Sequence, residues 1–325
     1  MRNIKKFLSK RSALLALVII FILATIRYDR FFTGANLYNL LRQNSMIGLI
    51  AVAMTMVILT GGIDLSVGAI CSMISVMSAF LSFTENPFII IFVPLIIGTL
   101  FGFINGTVIA KMGVAPIISS LGVQLIARGI SLVMTSGETM HIQGSAKQWL
   151  PGIAKIAVGP FPLIFLIFLA FAIIFIYVLA FSKFGRQIYA VGGNEEAARM
   201  MGVRVDYIKI AVYTISGFAS ALAGLILVSR AGTGQPVACN GWEMDAIAAV
   251  AIGGTSLAGG SGKIETTIYG VFILAIIGNI INLQGNVNAW WQQIITGLLL
   301  IIVLMVQVIP AYRRNKVSKK ILVER

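Results

Sequence analysis

Residues Phe161–Phe181 read FPLIFLIFLAFAIIFIYVLAF, a run without a single charged side chain. Wound as a helix rising 1.5 Å per residue, it covers the roughly 30 Å hydrocarbon core of a bilayer. Pro87–Ala110 has the same property, and neither run suits a soluble core helix without a very large partner. The composition agrees: 58% of the 325 residues are apolar and 11% are charged, against roughly 25% charged in soluble domains. The fold class is therefore all-α, a polytopic membrane protein.

Ahead of this run the apolar segments fall at Ser12–Ile26, Gln43–Thr60, Val67–Phe83, Pro87–Ala110 and Pro116–Thr135. Behind it they fall at Ile208–Ser229, Asp245–Leu257, Ile264–Leu283 and Ala289–Ile309. The expectation is thus about ten transmembrane helices. Arg2, Lys5, Lys6, Lys10 and Arg11 precede the first segment, and no small-x-small cleavage site precedes Arg27, so it reads as an uncleaved span with a cytoplasmic basic end. An even number of crossings returns the C-terminus to the cytoplasm, where Arg313, Arg314, Lys316, Lys319, Lys320 and Arg325 agree. The division is a basic N-terminus 1–11, a permeation domain 12–309 with a cytoplasmic loop 183–209, and a basic tail 310–325. Asp245–Leu257 is short for a crossing; it re-enters, or lengthens by recruiting Gly259 and Gly260. The net charge of +14 does not indicate nucleic acid, because the cations sit in short loops and at the ends, as the positive-inside bias requires.

Immediately after the opening run lies Lys183–Lys209, a long polar segment between two apolar ones. Asn194 follows two glycines and suits an N-cap, Glu195 and Glu196 suit the positive end of a helix dipole, and Gly202 is placed to terminate. Ala197, Met200 and Met201 share a face that is small at one end and soft at the other, fit for a shallow groove on a partner. From these residues alone the segment also reads as a capped interfacial helix joining two spans. Glu196-Ala197-Ala198, three residues and Gly202 resembles the EAA signature of ABC-importer permeases, the loop helix that docks onto the ATP-hydrolysing subunit. The family pattern continues to a Leu-Pro pair, where this chain has Val212-Tyr213-Thr214 and no proline.

Between the second and third segments, Gly61-Gly62-Ile63-Asp64-Leu65-Ser66-Val67-Gly68 breaks one helix and starts another with Asp64 or Ser66 as cap. A tight turn needing glycine is the plainer reading of the same residues. The glycine-rich run Gly253–Lys263 fails as a phosphate loop, since Leu257 stands where the first glycine belongs and Ile264 follows the lysine. Close helix packing explains it better. No zinc-protease or serine-hydrolase motif occurs, and only one histidine, His141, is available as a base; it reads as a loop residue. Cys71 lies in an apolar run and Cys239 in a polar loop, so the two are expected at different depths, with neither disulfide nor metal site.

Asp64, Asp245 and Glu265 are the acids near span ends, and none is expected at a span centre, where an ion-coupled carrier for a small polar solute would hold its carboxylates. Such a carrier is the alternative reading. Asn44, Thr55, Asn105, Gln124, Asn279, Asn282 and Gln293 lie within the spans as candidates for a translocation path, though such residues also serve as inter-helix glue. Arg128 must snorkel outward or meet a partner, because a guanidinium at a helix centre costs roughly 3 kcal/mol. On the outer face, Arg27, Arg30 and Arg230 are candidates for docking a soluble partner, or are ordinary headgroup-facing cations.

Leu59–Gly68 resembles a stretch of the bacterial sugar-importer permeases of the ribose type. So do Tyr189–Ala198, Glu243–Val250 (with Asp245) and Gly253–Gly262 (opening on Gly253 and Gly254), and the likeness runs from about Phe32 to Gln307. The resemblance implies a permease subunit in a bacterial inner membrane that binds no cofactor itself. Its partners would be a second permease copy or paralogue, an ABC ATPase carrying ATP and Mg, and an extracytoplasmic sugar-binding protein.

Overall fold

A computed structural model describes residues 12–284 and 291–305. The expected basic N-terminus 1–11, the tail 310–325 and the end of the last apolar segment lie outside the described residues. The chain folds into helices α1 (Ser12–Arg27), α2 (Gly34–Leu59), α3 (Val67–Leu81), α4 (Pro87–Met112), α5 (Pro116–Thr135), α6 (Ala146–Ile153) and α7 (Leu163–Phe181). There follow α8 (Lys183–Gly193), α9 (Glu195–Met200), α10 (Val205–Ala231), α11 (Trp242–Ile252), α12 (Ile264–Gln284) and α13 (Trp291–Met305).

Among the described residues, seven helices are long and apolar enough to cross a membrane: α2, α3 with its 3-10 extension to Thr84, α4, α5, α7, α10 and α12. The chain is thus an all-α, multi-pass membrane protein. Helix α11 has 11 residues, too few to cross, and it does not lengthen through Gly259 and Gly260. It begins earlier than expected, at Trp242, and stops at Gly253, whose Cα lies against the backbone of Thr266 and Thr267 in α12. Gly259 and Gly260 instead take positive φ in a turn.

Apolar character alone does not distinguish a central helix from a lipid-facing one; packing does. The best apolar windows of α2 and α3 are 72% buried, against 22% for α4 and 28% for α5 and α7. Helices α2, α3 and α10 therefore form the centre, and α4, α5 and α7 present open apolar faces. Gly98, Gly102 and Gly106 make a four-residue repeat along α4 that lies against Ala221, Gly217, Tyr213 and Ile210 of α10. Small residues at that spacing let two helix backbones approach closely, and dispersion along the contact replaces the missing hydrophobic drive.

On the face opposite the 183–209 loop, Met140–His141 pairs antiparallel with Thr233–Gly234, so His141 belongs to a short strand rather than a loop. Helix α6 closes on α10 through Ser229 Oγ, which donates to the Leu150 carbonyl at 2.6 Å.

Gly102→Val places methyls into the backbone of Gly217. It should destabilise the chain by about 2 kcal/mol or more and lower the detergent-solubilised thermal midpoint by several degrees. Gly34→Ala, where nothing stands near the new atom, should leave that midpoint unchanged in the same melt.

Candidate functional site

Helix α2 ends in two tightening bonds, Gly61 N–H to the Ile58 carbonyl at 2.9 Å and Gly62 N–H to the Val57 carbonyl at 3.2 Å. Gly61 turns the chain at φ 81°, and Gly62 lies so close under the Tyr213 hydroxyl that a Cβ there would collide. The following strand of backbone dives into the bundle. Asp64, expected at a span end, is fully buried and lies beside Ser216, the twelfth residue of α10. Its Oδ1 accepts from Ser66 N–H at 3.0 Å, Ser66 Oγ at 2.6 Å and Asn105 Nδ2 at 3.4 Å, and its Oδ2 accepts from Ser216 Oγ at 2.7 Å. Asn105 Oδ1 in turn accepts from Ser119 Oγ at 2.7 Å. One carboxyl thus joins the α2–α3 break to α4, α5 and α10. Ser66 stands at the N-cap of α3 without a side-chain cap bond; its hydroxyl serves Asp64 instead.

Directly beneath the end of α2, three glycine-bearing segments meet. Gly260 N–H donates to the Leu59 carbonyl at 3.0 Å, and Gly192 of α8 is pressed against that same carbonyl and against Gly260. Tyr189 Oη donates to the Gly262 carbonyl at 2.9 Å; burial and the Glu265 carboxylate push its pKa up, so it remains a donor. Helix α8 itself was not expected; in the sequence Gly192 and Gly193 read only as the residues before the Asn194 cap. They are instead the small residues that let α8 reach the α2 terminus.

From this junction α9 projects. Asn194 Oδ1 accepts from Ala197 N–H at 2.9 Å, and Gly202 at φ 80° ends the turn. Ala198 is buried, while Met200 and Met201 are 83% and 72% exposed. Glu195 turns back, bonded to Lys209 Nζ at 2.6 Å and Arg199 at 3.4 Å, and Arg199 reaches Asp206 at 2.9 Å. These pairs tie α9 to the start of α10. Glu196 is exposed and is in none of them.

A second break follows α10. Residues 235–241 run back into the bundle, where Cys239 N–H donates to Ser72 Oγ at 3.1 Å and the Cys239 thiol to Cys71 Sγ at 2.9 Å. The expected difference in depth is therefore overturned: the polar loop is re-entrant, and both thiols are buried together. Gly241, at φ 90°, starts α11. Around it stand Arg128, whose Nη2 donates to Asn240 Oδ1 at 3.0 Å, and Gln124, whose Nε2 donates to Glu243 Oε1 at 3.3 Å. Asp245 accepts from the Thr296 hydroxyl of α13.

The other intramembrane polar residues divide by surroundings. Thr55 is fully buried, bonded to the Ala51 carbonyl and to Thr267 Oγ1 at 2.8 Å each. Asn279 exchanges amide bonds with Asn36 at 3.0 and 2.8 Å. Asn44, Asn279 and Asn282 line a cleft of about 60 Å³ with Gln43 and Gln292. Gln293 is exposed beside Gly241. Arg27 and Arg30 are exposed, and Arg230 is half-buried within electrostatic reach of Arg42. Among the described residues no group of His, Cys, Asp or Glu is arranged to hold a metal.

The comparisons with known proteins bear on this architecture. The family model described as branched-chain amino acid transport system / permease component matches residues 36–304. The ribose import permease protein RbsC of Haemophilus influenzae is 39% identical over 93% of this chain and 94% of its own. The ribose import permease protein of Bacillus subtilis is 40% identical over 92% of each. The chain belongs to the ribose-type permease family of ABC importers. Another relative of this permease, the fructose import permease protein FrcC of Rhizobium meliloti, is 33% identical over 93% of the chain and 87% of its own. No solved structure matched.

Sequence reasoning did not find Ser216 or Ser119 of the permease, and it singled out Tyr189 only as the first residue of a family-like stretch. Ser216 and Ser220, one turn apart in an apolar span, were the available signal for the Asp64 contact; nothing in the sequence marked the approach of Gly192 to Leu59. Asp64→Ala strips an acceptor from three side chains and one backbone N–H, so it should cost about 3–5 kcal/mol in thermal unfolding. Asp64→Ala with Ser216→Ala should cost less than the sum of the singles, because they share one network. Copper-phenanthroline oxidation should remove both cysteines from maleimide labelling of the denatured chain, while Cys71→Ser should leave Cys239 reactive.

Proposed function

We propose that this chain is the membrane-spanning subunit of an ATP-driven importer that brings a monosaccharide, a pentose such as ribose, across a bacterial inner membrane. The observation that carries the reading is the arrangement of α9. Its exposed side, Glu196 with Met200 and Met201, is free to seat in a partner, while its back is tied to the start of α10. The partner is a separate ATPase subunit, where ATP and Mg are bound; a second permease copy or paralogue completes the pathway, and an extracytoplasmic binding protein delivers the sugar. Arg27, Arg30 and Arg230 are the proposed docking cations for that protein, where charge raises the encounter rate more than the affinity. Both termini lie in the cytoplasm in this reading: residues 235–241 and α11 together make one crossing, which with α1, α13 and the seven longer helices gives ten.

A push on α9 has a physical route inward. The Arg199–Asp206 and Lys209–Glu195 pairs load α10, and Ser216 of α10 holds Asp64 at the α2–α3 break. At the same time α8 bears through Gly192 on the Leu59 carbonyl. Closure of two ATPase domains would therefore shift α10 and the break together, opening the path alternately to each side. An ion-coupled carrier is less well supported, because relatives that match over nine tenths of the chain are ribose import permeases.

Glu196→Lys and Gly202→Pro should abolish labelled-ribose uptake in cells lacking the native chain, leave the protein inserted, and lose co-purification with the ATPase. Normal uptake by both variants would remove the proposed role of α9. Collapse of the proton gradient with ATP maintained should leave wild-type uptake running; an immediate stop would favour the carrier.

A further inference from the structure

Arg128 is the thirteenth of the 20 residues of α5, which puts its Cα near the middle of the span. An ionisable group at that depth persists where a partner or an aqueous path receives it. Its Nη2 is bonded to Asn240, but its Nε is buried without an acceptor, and among the described residues it is in no ion pair. Behind it stands Glu243, 6% exposed. Oε1 of Glu243 holds Gln124, one turn before Arg128 on the same helix, while Oε2 is buried without a hydrogen-bond partner. Two elements build this cluster: α5 supplies the guanidinium and the amide, and the re-entrant 235–241 segment with the first turn of α11 supplies Asn240 and Glu243. On its other side α5 is open, since Leu125 is 71% exposed and nothing stands near a Cβ at Gly122 or Gly129.

The geometry points to a monosaccharide-recognition site at bilayer depth, in which Arg128 and Asn240 contact the hydroxyls of the passing sugar and Glu243 and Gln124 position them. This rests on the importer reading above. A hydroxyl both accepts and donates, so it can take a bond from the guanidinium and give one to the Asn240 oxygen. The buried Glu243 carboxyl offsets the guanidinium charge, which favours a neutral polyol over an anion. A contact of this kind aligns the sugar without holding it tightly, as passage requires.

The test uses the whole complex, permease with its ATPase and binding protein, in proteoliposomes, measuring labelled ribose taken up per ATP hydrolysed. Loss of a hydrogen bond to a charged group should lower that ratio about tenfold in Arg128→Gln and in Asn240→Ala, while ATP hydrolysis stimulated by the loaded binding protein stays near wild type. Arg128→Lys should restore part of it. An unchanged ratio in both variants overturns the site, and so does parallel loss of uptake and ATP hydrolysis, the mark of a structural role. Should Arg128→Gln fail to assemble, Asn240→Ala decides, because that side chain is exposed and the Cys239–Ser72 tie does not involve it. If wild type moves neither ribose nor any other monosaccharide of a panel, the importer reading falls as well; with normal wild-type uptake, a failure of the variants to respond counts against this site alone.

Discussion

In a bilayer every backbone N–H and carbonyl must find its partner inside the protein, because the hydrocarbon offers none. The α2–α3 break tests that constraint most severely. Seven residues from Thr60 to Ser66 leave helical geometry within a membrane protein, and they are tolerated because they are enclosed by α4, α5 and α10. Asp64 makes the enclosure specific: its carboxyl draws hydrogen bonds from Ser66, Asn105 and Ser216, so three helices are positioned by one buried side chain. Remove it, and the break keeps its burial but loses its partners.

A connection between two spans that runs inside the bundle has consequences for motion. The residues between α2 and α3 are held by side-chain hydrogen bonds and not by a helical ladder, so they can rearrange when the helices around them shift. The second interruption, at residues 235–241, enters from the opposite side and meets α3 at Ser72 and Cys71. Helix α3 thus begins beside one break and packs against the other. In the proposed reading, movement at the ATPase-facing loop reaches the first through α10 and α8, and the polar cluster around Arg128 lies against the second. The coupling element and the sugar contact would then be joined through α3, a short and well-buried helix.

Backbone approach is the other organising feature. Gly192 on Leu59, Gly102 on Gly217 and Gly253 on Thr266 are contacts that any Cβ would prevent. They hold the 183–209 loop, the α4–α10 pair and the α11–α12 pair in fixed register, and they leave the outer faces of α4, α5 and α7 open. The ion pairs of α9, by contrast, lie in water and are weak individually; their value is in direction, tying one short helix to the start of one long one.

Much of this was legible in the amino-acid order. Charge-free runs of bilayer length establish the class, because no soluble core accommodates them. The caps of α9, Asn194 and Gly202, are local devices written into a few adjacent residues, and the motif Gly61–Gly68 announces a break. What lay beyond sequence was whatever depends on two distant segments meeting. That Asp64 sits inside the bundle, that Cys239 returns to Cys71, and that Arg128 finds Asn240 all follow from re-entrant paths with no periodic signal, since in uniformly apolar helices the inward face carries no distinct pattern. Sequence by itself determined the membrane class and the local caps, because composition and neighbouring residues decide those; only the tertiary structure decided which polar groups meet, because burial in a membrane protein is set by helix packing and not by the contrast between apolar and polar faces.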